Sequence, residues 1–327
     1  MSLTPQELEQ FDTLGYVVKP DVYSRAALEP IKRALDALVT QEAEQLREEG
    51  SLDNILETEP FETRLHRLAQ LNLEAAQTIY TKLMGKGGGR YSGPEMFDMV
   101  RHPALLSCVE SIIGPEIVGS SVYRIRPKVP HWDHGEVPWH QDSGYTMAHC
   151  DRYMVVTCWI PLVDATTENG CLYVVPGVHK RGVFNHYTGG HGGFLEIPQQ
   201  SLPGVDDAVP IEMKAGAVLF LTNTTPHASF DNSTDIVRWS MDLRYQSADV
   251  PNNVGETPED YTPERETVTM ACFPHEADFV IQSPSQPERV VANAEEFHRL
   301  RGIYEQGRIE APGRGWAPLA ERETAET

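Results

Sequence analysis

One change of residue grammar limits what this chain can fold into. From about Ile117 onward, apolar residues stop recurring at helical spacing and fall into short β-type runs cut by Gly, Pro, Asn and Asp. Eight such runs can be read: Val118–Lys128, Val137–Met147, Tyr153–Leu162, Cys171–Pro176, Val209–Met213, Ala217–Thr222, His227–Phe230 and Ile236–Gln246. Short strands at this spacing predict a β-sandwich or jelly roll, since each half-buried strand needs a second layer to cover its apolar face. Residues 182–208, Gly-rich and broken by Pro198 and Pro203, read as a long insertion between strands, the kind of loop that often serves a site.

The first hundred residues predict helices that flank this core. Thr4-Pro5-Gln6-Glu7 has the pattern of a capping box with Pro at the first helical position, and Gly15 closes the helix. A short β-like run follows at Gly15–Lys19. Ser24 then caps a long amphipathic stretch with Leu28, Ile31, Leu35, Leu38 and Val39 on one side. Further helical patterns run from Leu65 to Met84 and on either side of His102-Pro103, the last closed by Gly114-Pro115. After Val250 the chain is rich in Pro and acids, with one helix expected near Asn293–Tyr304. The simplest parse is one domain: a mostly helical part over 1–116, the β core over 117–247 and an extension over 248–327.

Composition excludes several function classes. Lys and Arg number 27 against 48 Asp and Glu, a formal charge of −21. Nucleic acid and anionic membrane are therefore poor partners, because phosphate surfaces require clustered cations. The longest apolar run, Met154 to Val163, is interrupted by Pro161 and is far short of the roughly 20 residues that span a bilayer. Five cysteines without a C-x-x-C pair read as reduced thiols, and Met1–Gln10 lacks the pattern of a signal peptide. Both lead us to expect a cytoplasmic protein.

The chemistry-bearing residues begin at Val137-Pro138-Trp139-His140-Gln141-Asp142. In a strand His140 and Asp142 project to one side, where an imidazole and a carboxylate can share a divalent ion. An isolated H-x-D is a weak signal, more often a pair of hydrogen-bonded loop polars. His131/Asp133 and His134/Glu136 have similar spacing but sit in turn-like sequence, whereas His140 lies in a β-type run. A third ligand is offered by Pro226–Arg238, which reads as strand, turn, strand. If the turn centres between Asn232 and Ser233, His227 faces Arg238, with Ser229 and Ser240 on the same side. A His, an Arg and two hydroxyls on a buried wall imply an ionic ligand. The alternative is the solvent face of an edge hairpin, and this segment alone does not separate the two. Two His and one carboxylate with open positions match the facial triad of non-haem iron(II) oxygenases. A nearby Arg fork suits a carboxylate.

These motifs together resemble the phytanoyl-CoA dioxygenase family of Fe(II)/2-oxoglutarate-dependent oxygenases. The resemblance is carried by His140-Gln141-Asp142, His227-Ala228-Ser229 and an Arg eleven residues beyond His227. Trp159-Ile160-Pro161-Leu162, Glu168-Asn169-Gly170-Cys171-Leu172 and Val175-Pro176-Gly177-Val178-His179-Lys180 add to it. It extends from about Leu8 to Tyr245 and implies a double-stranded β-helix core, jelly-roll and cupin-like. It also implies His140, Asp142 and His227 as iron ligands and Arg238 as the anchor for the distal carboxylate of 2-oxoglutarate. Ser229, Lys128 and Trp159 are implied as further co-substrate contacts. His179 stands where the family has a Pro-Gly-Ser-His motif and reads as a structural loop residue. Because relatives that halogenate lack the triad carboxylate, Asp142 favours hydroxylation or another oxidation of a small molecule over halogenation, with O2 consumed and succinate and CO2 released. The rival readings are a cupin-type dioxygenase that uses no keto acid and a non-catalytic jelly-roll binding protein.

Among the remaining features, Arg124 and Arg126 alternate with Tyr123 and Ile125 and are expected on a solvated face. The Gly85–Gly89 run reads as a flap or linker. Tyr145, Met147, His149, His186 and His191 are candidates to line a substrate pocket.

Overall fold

The computed structural model describes residues 1–84, 90–132, 135–146, 148–250, 278–306 and 314–325. The Gly85–Gly89 run, Asp133, His134, Met147 and Cys272 lie outside the described residues, as does the side chain of His149.

Helix α1 (Pro5–Leu14) starts with the expected reciprocal cap: Thr4 accepts from the Glu7 N–H, and the Glu7 carboxylate accepts from the Thr4 N–H. It stops at Gly15, whose φ of +84° is open to glycine at little cost. Any Cβ there would also strike Thr225, whose hydroxyl donates to the Gly15 carbonyl at 2.7 Å. Strand β1 (Tyr16–Lys19) follows, then α2 (Arg25–Glu48), capped by Ser24. Leu28, Ile31, Leu35, Val39 and Ala43 of α2 form its buried stripe, and burial of each Leu- or Ile-sized chain contributes roughly 1.5–3 kcal/mol. The helical stretch expected from Leu65 to Met84 is two helices, α3 (Phe61–Leu71) and α4 (Leu73–Met84). They divide at Asn72, whose extended backbone breaks the first helix and whose side chain accepts from the Ala75 N–H of the second. Helices α5 (Pro94–Val100) and α6 (Pro103–Ile113) complete this layer.

The β region matches the expected runs with local changes. The first run is split into β2 (Ile117–Gly119) and β3 (Arg124–Lys128). Strand β4 (Val137–His140) is shorter than expected and gives way to a 3-10 turn at Asp142–Tyr145. Next come β5 (Val155–Pro161), β6 (Leu172–Val174), β7 (Val209–Ile211), β8 (Val218–Thr222), β9 (His227–Ser229) and β10 (Arg238–Ser247). Strand β11 (Phe279–Gln282), unexpected from sequence, adds to β2. Helix α7 (Ala294–Gln306) is the one expected in the extension, and α8 (Leu319–Ala325) follows it.

Among the described residues these strands form two antiparallel sheets. One runs β1-β8-β5-β10-β2-β11 with β3 also on β10, and the other β4-β9-β6-β7. The large sheet is covered on both faces, and strand β8 is apolar on both from Val218 to Leu221. In β8, Val218 and Phe220 face the helices while Leu219 and Leu221 face the second sheet. Strand β10 alternates differently. Trp239, Met241, Leu243 and Tyr245 pack into the helical side, and the even positions turn polar groups toward the space between the sheets. That inward polar row positions the site.

The hairpin expected to pair His227 with Arg238 does not exist. Strand β9 pairs with β4 and β6, whereas β10 pairs with β2, β3 and β5. Between them Asn232 donates to the carbonyls of Lys128 (2.9 Å) and Ile236 (2.7 Å) and carries the chain from one sheet to the other. His227 and Arg238 come from opposite sheets and line one cavity.

Candidate active site

The cavity between the sheets takes His140 from β4, His227 from β9 and Asp142 from the turn after β4. His140 and His227 are cross-strand partners, with ring centroids 4.2 Å apart. One ligand atom from each of the three buried residues lies within 4.8 Å of the others. Each ring meets a backbone carbonyl through Nδ1: His140 donates to Pro138 (2.8 Å) and His227 to Thr225 (3.0 Å). A carbonyl can only accept, so Nδ1 carries the proton and the Nε2 lone pair is left for an ion. Burial, then the neighbouring His227, holds the His140 imidazole well below its usual pKa, in the neutral form a metal needs.

Asp142 is held by two partners that the sequence did not suggest. Arg244 forks its carboxylate, Nη2 to Oδ1 at 2.9 Å and Nε to Oδ2 at 3.3 Å, and the Thr157 hydroxyl donates to Oδ2. Burial opposes ionisation here, yet the charge and hydrogen bonds of Arg244 hold the carboxyl far below the ordinary range. Each oxygen has more than one lone pair, so these bonds leave acceptor capacity for a cation. Gln141, between the two ligands, faces away and ties the turn down. It donates to the carbonyls of Gly182 (2.9 Å) and Thr224 (2.6 Å) and accepts from the Phe184 N–H (2.8 Å). His186, pushed down to about 4 by burial and therefore neutral, accepts the Gln141 N–H at 2.9 Å. Gly144 is required beside it, since a Cβ there would lie 2.5 Å from His186 Nε2.

Arg238 lines the same cavity, 2% exposed, with its guanidinium 5.2 Å from the centre of the Trp159 ring. Nη1 donates to Ser240 at 2.9 Å, but the buried Nε has no partner. An orphaned donor on a buried cation is costly unless an anion completes it, so the residues fit a carboxylate ligand. Ser229 and Trp159 also line the cavity; the Ser229 hydroxyl donates to the Gly170 carbonyl at 3.1 Å and keeps its lone pairs free to accept. Lys128 is not part of the lining. Its Nζ is engaged by the carbonyls of Ser229 (3.1 Å) and Phe230, bracing the strand that carries His227.

Burial, then the charge of its cross-strand neighbour Arg238, pushes Lys128 down to about 6. Between about pH 6 and the unfolded value near 10.4, the unfolded chain binds more protons than the folded one at this site, so stability rises with pH. The stability of wild type relative to Lys128→Met should therefore rise from pH 6 to pH 8, by up to about 1.4 kcal/mol per pH unit. Denaturant titrations at several pH values measure it, and a flat difference would show that the lysine stays charged.

The expected solvated face at Arg124 and Arg126 requires correction. Arg126 lines the cavity, pairs with Asp242 at 2.8 Å, and sits over the Phe194 ring at 5.6 Å. Strand β3 lies against β10 in the large sheet, so one of its faces looks inward. Tyr145 stands 5.9 Å from the His140 ring and accepts from the Leu195 N–H at 3.0 Å. His186 is a buried support rather than a pocket wall, and His179 is structural as expected, its Nε2 donating to the Asp12 carbonyl at 3.1 Å. Arg244 and Arg126 were missed. The signal for Arg244 was the strict alternation Arg238-Trp239-Ser240-Met241-Asp242-Leu243-Arg244, in which a strand too apolar on one face for an edge keeps charges on the other.

The family described as phytanoyl-CoA dioxygenase (PhyH) matches residues 11–240. A phytanoyl-CoA dioxygenase of Arabidopsis thaliana is 26% identical over 271 residues, covering 76% of this chain and 90% of the relative. Phytanoyl-CoA dioxygenase domain-containing protein 1 of Bos taurus is 27% identical over 278 residues, covering 75% and 91%. Among solved structures, the non-heme monooxygenase ThoJ in its apo form superposes with a TM-score of 0.53 at 19% identity, over 91% of this chain and 95% of that one, a likeness of fold. No helix among the described residues is long and apolar enough to cross a membrane.

Proposed function

This chain belongs to the phytanoyl-CoA dioxygenase family, and from that premise we infer that it is an iron(II)- and 2-oxoglutarate-dependent oxygenase that hydroxylates a C–H bond of a small molecule. The observation that carries the reading is one cavity holding both halves of such a site: three buried donors within 4.8 Å and a buried guanidinium with an unmet Nε. His140, Asp142 and His227 would hold the ion, and the donor set of two neutral imidazoles and one carboxylate suits iron(II).

When bound, the metal and its keto-acid partner activate dioxygen for attack on a C–H bond, with succinate and carbon dioxide released. The protein's own residues supply geometry and charge. The Pro138 and Thr225 carbonyls fix both imidazole tautomers, and Arg244 and Thr157 stop the Asp142 carboxylate from rotating. Arg238 offers Nε and its remaining amino group as a fork for the distal carboxylate, with the Ser229 hydroxyl beside it and the Trp159 ring screening water from the charge. Arg126, pinned by Asp242, forms part of the wall toward Phe194. With every group immobilised before substrate arrives, one C–H bond can be presented to the oxidant in a defined pose.

The test is succinate formation with a panel of small-molecule candidates. The expected result is stimulation by one of them that requires both iron(II) and 2-oxoglutarate. Oxygen uptake indifferent to 2-oxoglutarate would indicate a cupin-type dioxygenase, and failure to bind iron(II) would indicate a binding protein.

A further inference from the structure

The segment from Arg314 lies beyond the family match, yet it returns to the site. The Trp316 indole N–H donates to the Gly144 carbonyl at 2.8 Å, two residues from Asp142, and its ring is 5.3 Å from that of His186. Arg314 reaches the same turn from the other end. Its Nε donates to the Thr146 carbonyl at 2.6 Å, and its two amino groups fork the Asp151 carboxylate. The backbone then crosses to the opposite loop: the Thr188 N–H donates to the Ala317 carbonyl (3.0 Å), and the Leu319 N–H to that of Thr188 (2.9 Å).

The segment thus adds an outer tie between two loops that already meet where the Leu195 N–H donates to Tyr145 and His186 packs against Gly144. One, residues 142–151, carries Asp142 and Tyr145; the other, residues 184–196, carries His186 and Phe194. We propose that residues 314–319 are a strap that binds these loops together and so positions Asp142 for the metal, with Trp316 and Arg314 as its positioning residues. The inference rests on the iron site proposed above. Contact runs from the indole through His186 to the Gln141 N–H, the peptide between the two ligands on β4 and its turn. A second line runs from the indole N–H through Gly144 into the turn that Asp142 begins. Neither line touches Arg238, which is held from β10 on the other sheet. The strap should therefore affect iron affinity and leave the co-substrate anchor alone.

The experiment uses the full chain as wild type, Trp316→Ala, Trp316→Phe and Arg314→Ala. Iron(II) is titrated anaerobically at saturating 2-oxoglutarate and followed by the visible charge-transfer absorption of the complex; 2-oxoglutarate is then titrated at saturating iron(II). Loss of outer partners of metal ligands typically costs 10- to 100-fold in affinity, and these residues stand one contact further out. We expect Trp316→Ala to weaken iron(II) binding about 3- to 10-fold and Arg314→Ala about threefold. Trp316→Phe, which keeps a ring against His186, should return to within about twofold of wild type. The 2-oxoglutarate affinity and the melting temperature should stay near wild type in all three. Unchanged iron(II) affinity in Trp316→Ala, or equal losses for iron(II) and 2-oxoglutarate, would overturn the strap. A wild type that takes up no iron(II) would instead remove the functional reading beneath it.

Discussion

Asp142→Ala should abolish iron- and 2-oxoglutarate-dependent turnover, with succinate formation falling at least about a thousandfold. Two imidazoles remain in that variant, but the one charged ligand is gone, and with it the only negative charge of the triad. The change has a second cost, because Arg244 loses the carboxylate it forks. Removing one partner of a buried pair costs about 3–5 kcal/mol; Arg244 keeps its Nη1 bond to the Val122 carbonyl at 3.1 Å and its side chain is 19% exposed, which reduces that toward about 1–3 kcal/mol. Asp142→Asn separates the two effects, since the amide keeps the shape and can still accept from Arg244. It should melt closer to wild type while remaining inactive. The sign of the pH dependence follows from the depressed carboxyl. Its contribution is fully present above the unfolded value near 3.9 and is lost as pH falls below it, so the stability gap between wild type and Asp142→Asn should narrow only in that acid range. Metal content, succinate release and melting temperature measured on the same preparations decide the matter. Wild-type-like turnover in Asp142→Ala would remove the triad assignment.

The order in which these groups became visible has a physical reason. Strand parity is local, so His140 and Asp142 could be placed on one side from the sequence. His227 and Arg238 were each recognisable by type, but their mutual arrangement was not. A turn of two residues and a crossover of eight read alike until Asn232 is seen bonding to Lys128 and Ile236. The flanking helices were legible because caps such as Thr4/Glu7 and Ser24 are short-range signals. What stayed hidden depends on long-range partners. Arg244 is 102 positions from Asp142, Arg126 is 116 from Asp242, and Arg314 is 163 from Asp151. Nothing within a dozen residues of any of them specifies the pair. Lys128 shows the converse case, since the family resemblance implied a co-substrate contact while two backbone carbonyls hold its amine in the fold.

Arg238→Ala should separate co-substrate binding from metal binding. A bidentate, charge-assisted pair in a dry cavity contributes about 2–3 kcal/mol, so the apparent affinity for 2-oxoglutarate should fall roughly 30- to 150-fold. Iron(II) binding without 2-oxoglutarate should hold near wild type, because none of the three ligands hydrogen-bonds to the guanidinium. Arg238→Lys should recover little. An ammonium cannot present two parallel donors, and it would be placed directly across the strand pair from Lys128, whose own amine is already depressed to about 6. A co-substrate analogue gives the sharper readout. 2-Oxopentanoate keeps the chelating keto acid and lacks the distal carboxylate, so wild type should prefer 2-oxoglutarate over it by about the same factor that Arg238→Ala loses. In the variant that preference should shrink to nearly nothing. If wild type and variant discriminate equally between the two acids, the distal carboxylate is held elsewhere. Of the two other guanidiniums on the cavity wall, Arg244 is forked onto Asp142, so Arg126 in its pair with Asp242 would then be the next group to substitute.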